Sequence, residues 1–145
     1  MKVVLQRVSH AKCTVDDKVT GQIEKGYMLL VGYTHSDTKL ENQKMAKKIA
    51  NLRIFEDENG KMNLNIFQVG GKILSVSQFT LYANTNEGNR PSFVNAMKPD
   101  LANALYQDFN EELRALGLEV YEGVFGAHME IDLLNDGPVT ITLEF

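Results

Sequence analysis

The sequence predicts a single layered α/β domain (α/β/β), with a mixed sheet, a barrel-like second β layer and two main helices. Three observations predict it. Seven or eight short segments have the composition of strands. Only two stretches, beginning near Thr38 and Pro99, repeat apolar residues at helical spacing. No repeat, low-complexity tract or Pro/Gly/Ser-rich linker divides the 145 residues, so residues 1–145 read as one domain.

Residues 2–9 and 11–16 read as two strands, and Asp16-Asp17-Lys18 as a turn into a third at 19–23. Residues 26–33 are almost continuously apolar, the pattern of a strand covered on both faces. Thr38-Lys39-Leu40-Glu41 spells a capping box and opens the first helix. Met45, Ile49 and Leu52, with Ala46 and Ala50, make its apolar stripe. Asn59-Gly60 and Gly70-Gly71 mark tight turns. Pro99 occupies a favoured first helical position. Ala102, Leu105, Phe109, Leu113 and Leu116 follow at helical spacing, Arg114 complements the dipole in the last turn, and Gly117 suits a left-handed end. Further strands are predicted at 118–121, 127–134 and 139–144.

A hydrophobic content of 43% and a charged content of 23% are ordinary for a globular chain. No apolar run has the length of a membrane span. The first eight residues become charged too soon for a signal peptide and read as a first strand. Cys13 is the only cysteine, which excludes an intrachain disulfide and suits a reducing cytoplasm. The net charge of −4 argues against a broad duplex-binding surface, though not against grip on a short single-stranded end. Lys44, Lys47, Lys48 and Arg53 gather in and just after the first helix, where they read as a solvated face. His10, His35 and His128 are far apart and Cys13 has no partner at ligand spacing, so no metal site is expected. There is no phosphate-binding glycine loop and no other cofactor motif, and Glu56, Asp57 and Glu58 sit beside a turn as solvated acids.

The stretch 73–81, Ile-Leu-Ser-Val-Ser-Gln-Phe-Thr-Leu, reads as a buried strand that turns polar at its far end. Neither face alternates cleanly, so the hydroxyls and amide near its end need partners or a ligand. Strand ends of layered α/β folds are where sites tend to lie. Ser77 or Thr80 offers a hydroxyl nucleophile, but no base is tied to either by a local motif. The alternative is that these hydroxyls only satisfy backbone groups. Asn135-Asp136-Gly137-Pro138 has the chemistry of a hairpin turn, with 139–144 as the returning strand. Gly88-Asn89-Arg90-Pro91-Ser92-Phe93 follows a polar stretch and reads as either a binding loop or a plain connector, with Arg90 its one fixed positive charge.

Ser77-Gln78-Phe79-Thr80-Leu81 together with Asn135-Asp136-Gly137-Pro138-Val139-Thr140 resembles the two signature motifs of the D-aminoacyl-tRNA deacylases, also called D-tyrosyl-tRNA deacylases. The similarity extends over the whole chain, including Arg7 in the first strand and the 88–93 loop. It implies a homodimeric cytoplasmic editing enzyme that hydrolyses the ester between a D-amino acid and the 3′-terminal adenosine of tRNA, without a cofactor. It implies that Ser77, Gln78, Phe79 and Thr80 line the catalytic pocket. It implies that Gly137 and Pro138, joined by a cis bond and inserted into the partner's pocket, form a chiral filter, with Arg7 and Arg90 as contacts of the substrate loops. A backbone filter reads chirality without reading side-chain identity, so achiral glycine on mischarged tRNA would also enter. Catalysis is expected from Phe79 and Thr80 backbone N–H groups as an oxyanion hole, aided by the terminal ribose 2′-OH. Thr80 as a covalent nucleophile and a non-catalytic RNA-end-binding module stand as alternatives. A general esterase is disfavoured because no Ser-His-Asp constellation is present.

Overall fold

The computed structural model describes residues 1–145. Strand β1 (Lys2–Val15) is the organising element, because three strands pair with it. Its first half is antiparallel to β3 (Gly26–Gly32), its second half to β2 (Lys18–Ile23), and nearly its whole length to β8 (Glu130–Glu144). Beyond β3 the sheet continues in parallel through β6 (Lys72–Ser77) and β7 (Val120–Glu122). A separate small hairpin joins β4 (Phe55–Glu56) to β5 (Met62–Leu64).

Alternation along the strands makes two cores. Val3, Leu5, Tyr27, Leu29, Val31 and Ile73 face α1 (Lys39–Asn51) and α2 (Pro99–Ala115). On the other face, Val8, Ala11, Cys13, Met28, Leu74 and Val76 form a second core, with Met129, Ile131 and Leu133 packed against it. The sheet curls to enclose that second core. At Gly21 the curl brings β2 so close to β6 and β7 that an added Cβ would lie 3.0 Å from Leu74 Cδ1 and 3.1 Å from the Glu122 carbonyl. This is the expected α/β/β arrangement with a barrel-like second layer.

The helix signals hold locally. Thr38 caps α1, and its capping box with Glu41 is complete; the Glu41 carboxyl is held below its ordinary range by hydrogen bonds from the Thr38 side chain and backbone. Pro99 opens α2, and Gly117, at φ +96°, follows its end. No helix is long and apolar enough to cross a membrane. A buried ion pair ties the first strand to the start of α1: the Met1 α-ammonium donates to Asp37 Oδ1 at 2.5 Å.

Three sequence expectations are corrected. The strands predicted at 2–9 and 11–16 are one strand, because β8 pairs with both halves and carries the ladder past Ser9 and His10. Asn135-Asp136-Gly137-Pro138 is not a hairpin turn. Residues on both sides of it pair with β1 in the same direction: Thr140 opposes Gln6 and Asn135 opposes Val8. The segment is therefore a large bulge inside one continuous strand. Finally, strand character stops at Ser77. Residues Phe79–Tyr82 form a 3₁₀ turn, so the alternation read through Leu81 ends four residues earlier.

Candidate active site

The cavity forms where β6 stops. Its volume is about 630 Å³, within the range of sites for small ligands. Ser77, Gln78 and Phe79 line one side, the 125–131 segment another, and Met97 to Ala102 at the start of α2 a third. Most of the lining is apolar. Phe79 and Phe93 meet edge to face at 5.0 Å between ring centroids, and both rings are exposed enough to offer a stacking surface.

The sequence around Ser77 produces a particular backbone. The Gln78 N–H donates to the Val31 carbonyl at 2.7 Å, the last bond of the β3–β6 edge. The next N–H that bonds back is that of Leu81, to the Gln78 carbonyl at 3.3 Å. The N–H groups of Phe79 and Thr80 fall between, at the free start of the 3₁₀ turn, with no carbonyl partner in it. Gly32 keeps the turn in place from behind: a Cβ there would be 2.8 Å from the Gln78 carbonyl oxygen and 3.1 Å from Leu81 Cβ. Only glycine permits that approach.

The side chains at the strand end offer little for proton abstraction, and the one histidine of the lining, His128, comes from the 125–131 segment and is bonded to neither hydroxyl. Thr80 is exposed, and its Oγ1 accepts a hydrogen bond from Gln78 Nε2 at 2.5 Å. An amide donor cannot remove the hydroxyl proton. No histidine or carboxylate is bonded to Ser77 or Thr80. Tyr33 lines the cavity by its ring, while its hydroxyl is committed elsewhere, to Asn42 Oδ1 at 2.8 Å and the Leu105 carbonyl at 3.2 Å. Burial, with Asp37 and Asp108 nearby, pushes that phenol far above its ordinary value, so it stays protonated.

Gly137 and Pro138 do not line this cavity. They are exposed, and the peptide bond between them is cis. In strand order β8, β1, β3, β6, they are three strands from Ser77, roughly 14 Å across. They are level with Arg7, Tyr27 and Ile73, four residues short of Ser77, or roughly 13 Å along the strands. One chain thus keeps its two motifs apart.

The bulge is anchored from beneath. Arg7 is 4% exposed. Its Nε donates to the Asp136 carbonyl at 2.9 Å and its Nη1 to the Ile54 carbonyl at 2.6 Å, with the Asp136 carboxylate 3.6 Å away. Asn135 Oδ1 accepts the Val139 N–H at 2.8 Å, and Asn135 Nδ2 donates to Thr140 Oγ1 at 2.8 Å. Gly137 has φ +141°, and a Cβ on it would lie 2.7 Å from Val139 Cγ2 and 3.2 Å from Arg7 Nη2. Arg7 therefore supports the bulge and does not reach the cavity.

Arg90 does not line the cavity either. Its loop is closed at the neck by paired hydrogen bonds between Asn84 and Ser92, and the chain beyond it is tied to the residue after β3 by the Met97 N–H donating to the Tyr33 carbonyl. Only Phe93 of the 88–93 loop reaches the cavity. Sequence reasoning missed the wall built by Phe125, Gly126 and Ala127. Those residues fall between strands, and only the fold brings them to the end of β6. No group of three or more His, Cys, Asp or Glu side chains is gathered in a way that would hold a metal ion.

Comparison with known proteins adds the relationship. The chain is 58% identical over 144 residues to the D-aminoacyl-tRNA deacylases of Bacillus cytotoxicus and Deinococcus deserti, covering 99% of each sequence. A solved structure named c-Myc DNA Unwinding Element Binding Protein superposes with a TM-score of 0.93 at 42% identity, over 100% of this chain and 99% of that one. A second, described as a probable eukaryotic D-amino acid tRNA deacylase, shares the fold with a TM-score of 0.86 at 18% identity, over 98% and 97% of the two chains. The family model for D-Tyr-tRNA(Tyr) deacylase matches residues 4–144, and the chain belongs to that family.

Proposed function

We propose that this protein hydrolyses the ester of D-aminoacyl-tRNA, releasing the D-amino acid and tRNA with a free 3′-hydroxyl, and works as a cytoplasmic homodimer. The observation that carries the mechanism is the pair of unpartnered N–H groups, Phe79 and Thr80, where the chain leaves β6: Phe79 lines the cavity, Thr80 follows it, and no histidine or carboxylate is bonded to Ser77 or Thr80. Water adds to the ester carbonyl, and the two N–H groups stabilise the oxyanion. The terminal ribose 2′-OH positions the water and helps remove its proton. Collapse of the intermediate expels the 3′-oxygen, which takes up a proton. Thr80 as nucleophile is the weaker reading, because its hydroxyl accepts from Gln78 and nothing accepts from it.

The filter is Gly137-Pro138 of a second subunit. Its exposure on the surface of its own chain, and the distance from its own cavity, support action in trans. Rigid backbone beside the substrate α-carbon leaves room for hydrogen on one side only. An L side chain clashes there, a D side chain points away, and glycine passes, so glycyl-tRNA mischarged on tRNA(Ala) is a further substrate.

The test is to incubate the protein with D-tyrosyl-tRNA and L-tyrosyl-tRNA and follow free tyrosine. Turnover of the D form alone is expected; equal turnover of both sinks the filter. A substrate whose terminal adenosine lacks the 2′-OH should be nearly inert, and full activity on it removes the substrate-assisted step. A second reading, a nucleic-acid-binding module without turnover, is favoured by the description of the 42% identical structure as a DNA unwinding element binding protein. Binding of both aminoacyl-tRNAs with hydrolysis of neither is its signature.

A further inference from the structure

The charge lining the cavity differs in sign from that of the chain. The chain has 19 acidic against 15 basic residues, yet none of the 18 residues around the cavity is acidic. Two of them carry or can carry positive charge, Lys98 and His128. Lys98 comes from the cap position of α2 and His128 from the segment leading into β8, so different parts of the fold bring them to one opening. Both are exposed, and neither is engaged in an ion pair or a side-chain hydrogen bond. Lys2, Lys39 and Lys72, by contrast, are paired with Glu144, Asp108 and Glu119.

The apolar remainder of the cavity, with the Phe79 and Phe93 rings, suits a nucleoside and its acyl group. Such a nucleoside, if it ends an RNA chain, arrives with one phosphodiester on its 5′ side. That group cannot enter an apolar cavity unpaired, because desolvating an isolated charge is prohibitive. It must stay at the rim. A protein of net charge −4 repels RNA at long range, so cations at that rim matter more than they would on a basic protein.

We propose that Lys98 and His128 form a subsite for the phosphodiester 5′ to the terminal nucleoside. This rests on the reading of the cavity as the site for the aminoacylated 3′ end and names the group that fixes the depth of entry. Lys98 supplies a flexible ammonium and His128 a ring N–H. The subsite reads the backbone and no base, so it contributes equally to every tRNA.

The experiment uses two non-hydrolysable ligands, 3′-deoxy-3′-(D-tyrosylamino)adenosine with and without a 5′-phosphate. Affinities are measured by calorimetry on the full-length protein. Wild type should bind the phosphorylated ligand about tenfold more tightly, the size of one charge-assisted hydrogen bond. The double variant Lys98→Gln/His128→Asn should lose that preference and keep its affinity for the 5′-hydroxyl ligand, which also shows that it is folded. Equal affinity of wild type for both ligands, or a preference that survives in the double variant, overturns the proposal. Competition by inorganic phosphate alone as strong as that by the phosphorylated ligand overturns its link to the nucleoside. If neither ligand binds, the cavity is not the nucleoside site and both readings fall. If the preference appears but D-tyrosyl-tRNA is not hydrolysed, the subsite stands and only the deacylase reading fails.

Discussion

The end of β6 and the bulge in β8 are both places where a strand stops behaving as a strand, yet they do opposite things. At Ser77 the ladder ends, the chain tightens into a 3₁₀ turn, and the result is concave, aromatic and lined from three parts of the fold. At Gly137 the ladder is interrupted but resumes on the same partner, and the result is convex, exposed and secured from behind by Arg7 and Asn135. Terminating a strand frees backbone donors, whereas bulging one projects backbone outward. In the proposed mechanism the first would receive an oxyanion and the second would act as a rigid probe.

Substitutions can break either half of this contrast. The largest effect is expected from Gly137→Ala, since its Cβ would sit 2.7 Å from Val139 Cγ2 at a φ that L residues rarely adopt. Displacing the probe by about 1 Å should lower deacylation of D-tyrosyl-tRNA roughly 100-fold. The rate of free tyrosine release from D-tyrosyl-tRNA checks this. Arg7→Met removes the donors from the Ile54 and Asp136 carbonyls. It should cost about 2 kcal/mol in urea unfolding and raise turnover of L-tyrosyl-tRNA relative to the D form. On the concave side, Gly32→Ala pushes on the Gln78 carbonyl and should reduce turnover about tenfold while leaving discrimination between D and L intact. A loss of discrimination in Gly32→Ala would erase the division of labour between the two regions.

The smallest effect serves as a control away from both regions. Burial alone would raise the Asp108 carboxyl, but Asn42 and Lys39 outweigh it and hold the group below its ordinary value. Its contribution is complete above the unfolded carboxylate pKa of about 3.9 and is lost as pH falls through the folded value. Asp108→Asn should flatten that part of the acid stability profile. The change at neutral pH should stay below about 1 kcal/mol, without altering turnover.

Much of this was legible in the sequence because it is local. The capping box at Thr38, the Pro99 start and the Gly117 end depend on neighbours within one turn, and each appears as read. The continuous apolar run of β3 announced its burial on both faces. What was misread depends on pairing partners that lie far off in sequence. Asn-Asp-Gly-Pro has turn chemistry whether it reverses a chain or bulges from a strand. Only the register of β8 on β1 tells the two apart. The 3₁₀ turn after Ser77 was hidden because Phe79 and Leu81 alternate as a strand would. What makes room for the turn is Gly32, more than forty residues away in sequence. The site was therefore readable as motifs but not as geometry: the residues that build its far wall, 125–131, carry no motif of their own.

The separation of Gly137 from the cavity of its own chain also has a genetic consequence. If the filter acts in trans as proposed, a chain damaged at the cavity and a chain damaged at the bulge are each inactive alone but can repair one another. Mixed and allowed to exchange subunits, half the dimers contain one of each, and each such dimer holds one intact site out of two. About a quarter of the wild-type sites should then return. Two alleles that each fail by themselves would restore deacylation together, a complementation pattern that an enzyme with a self-contained site does not produce.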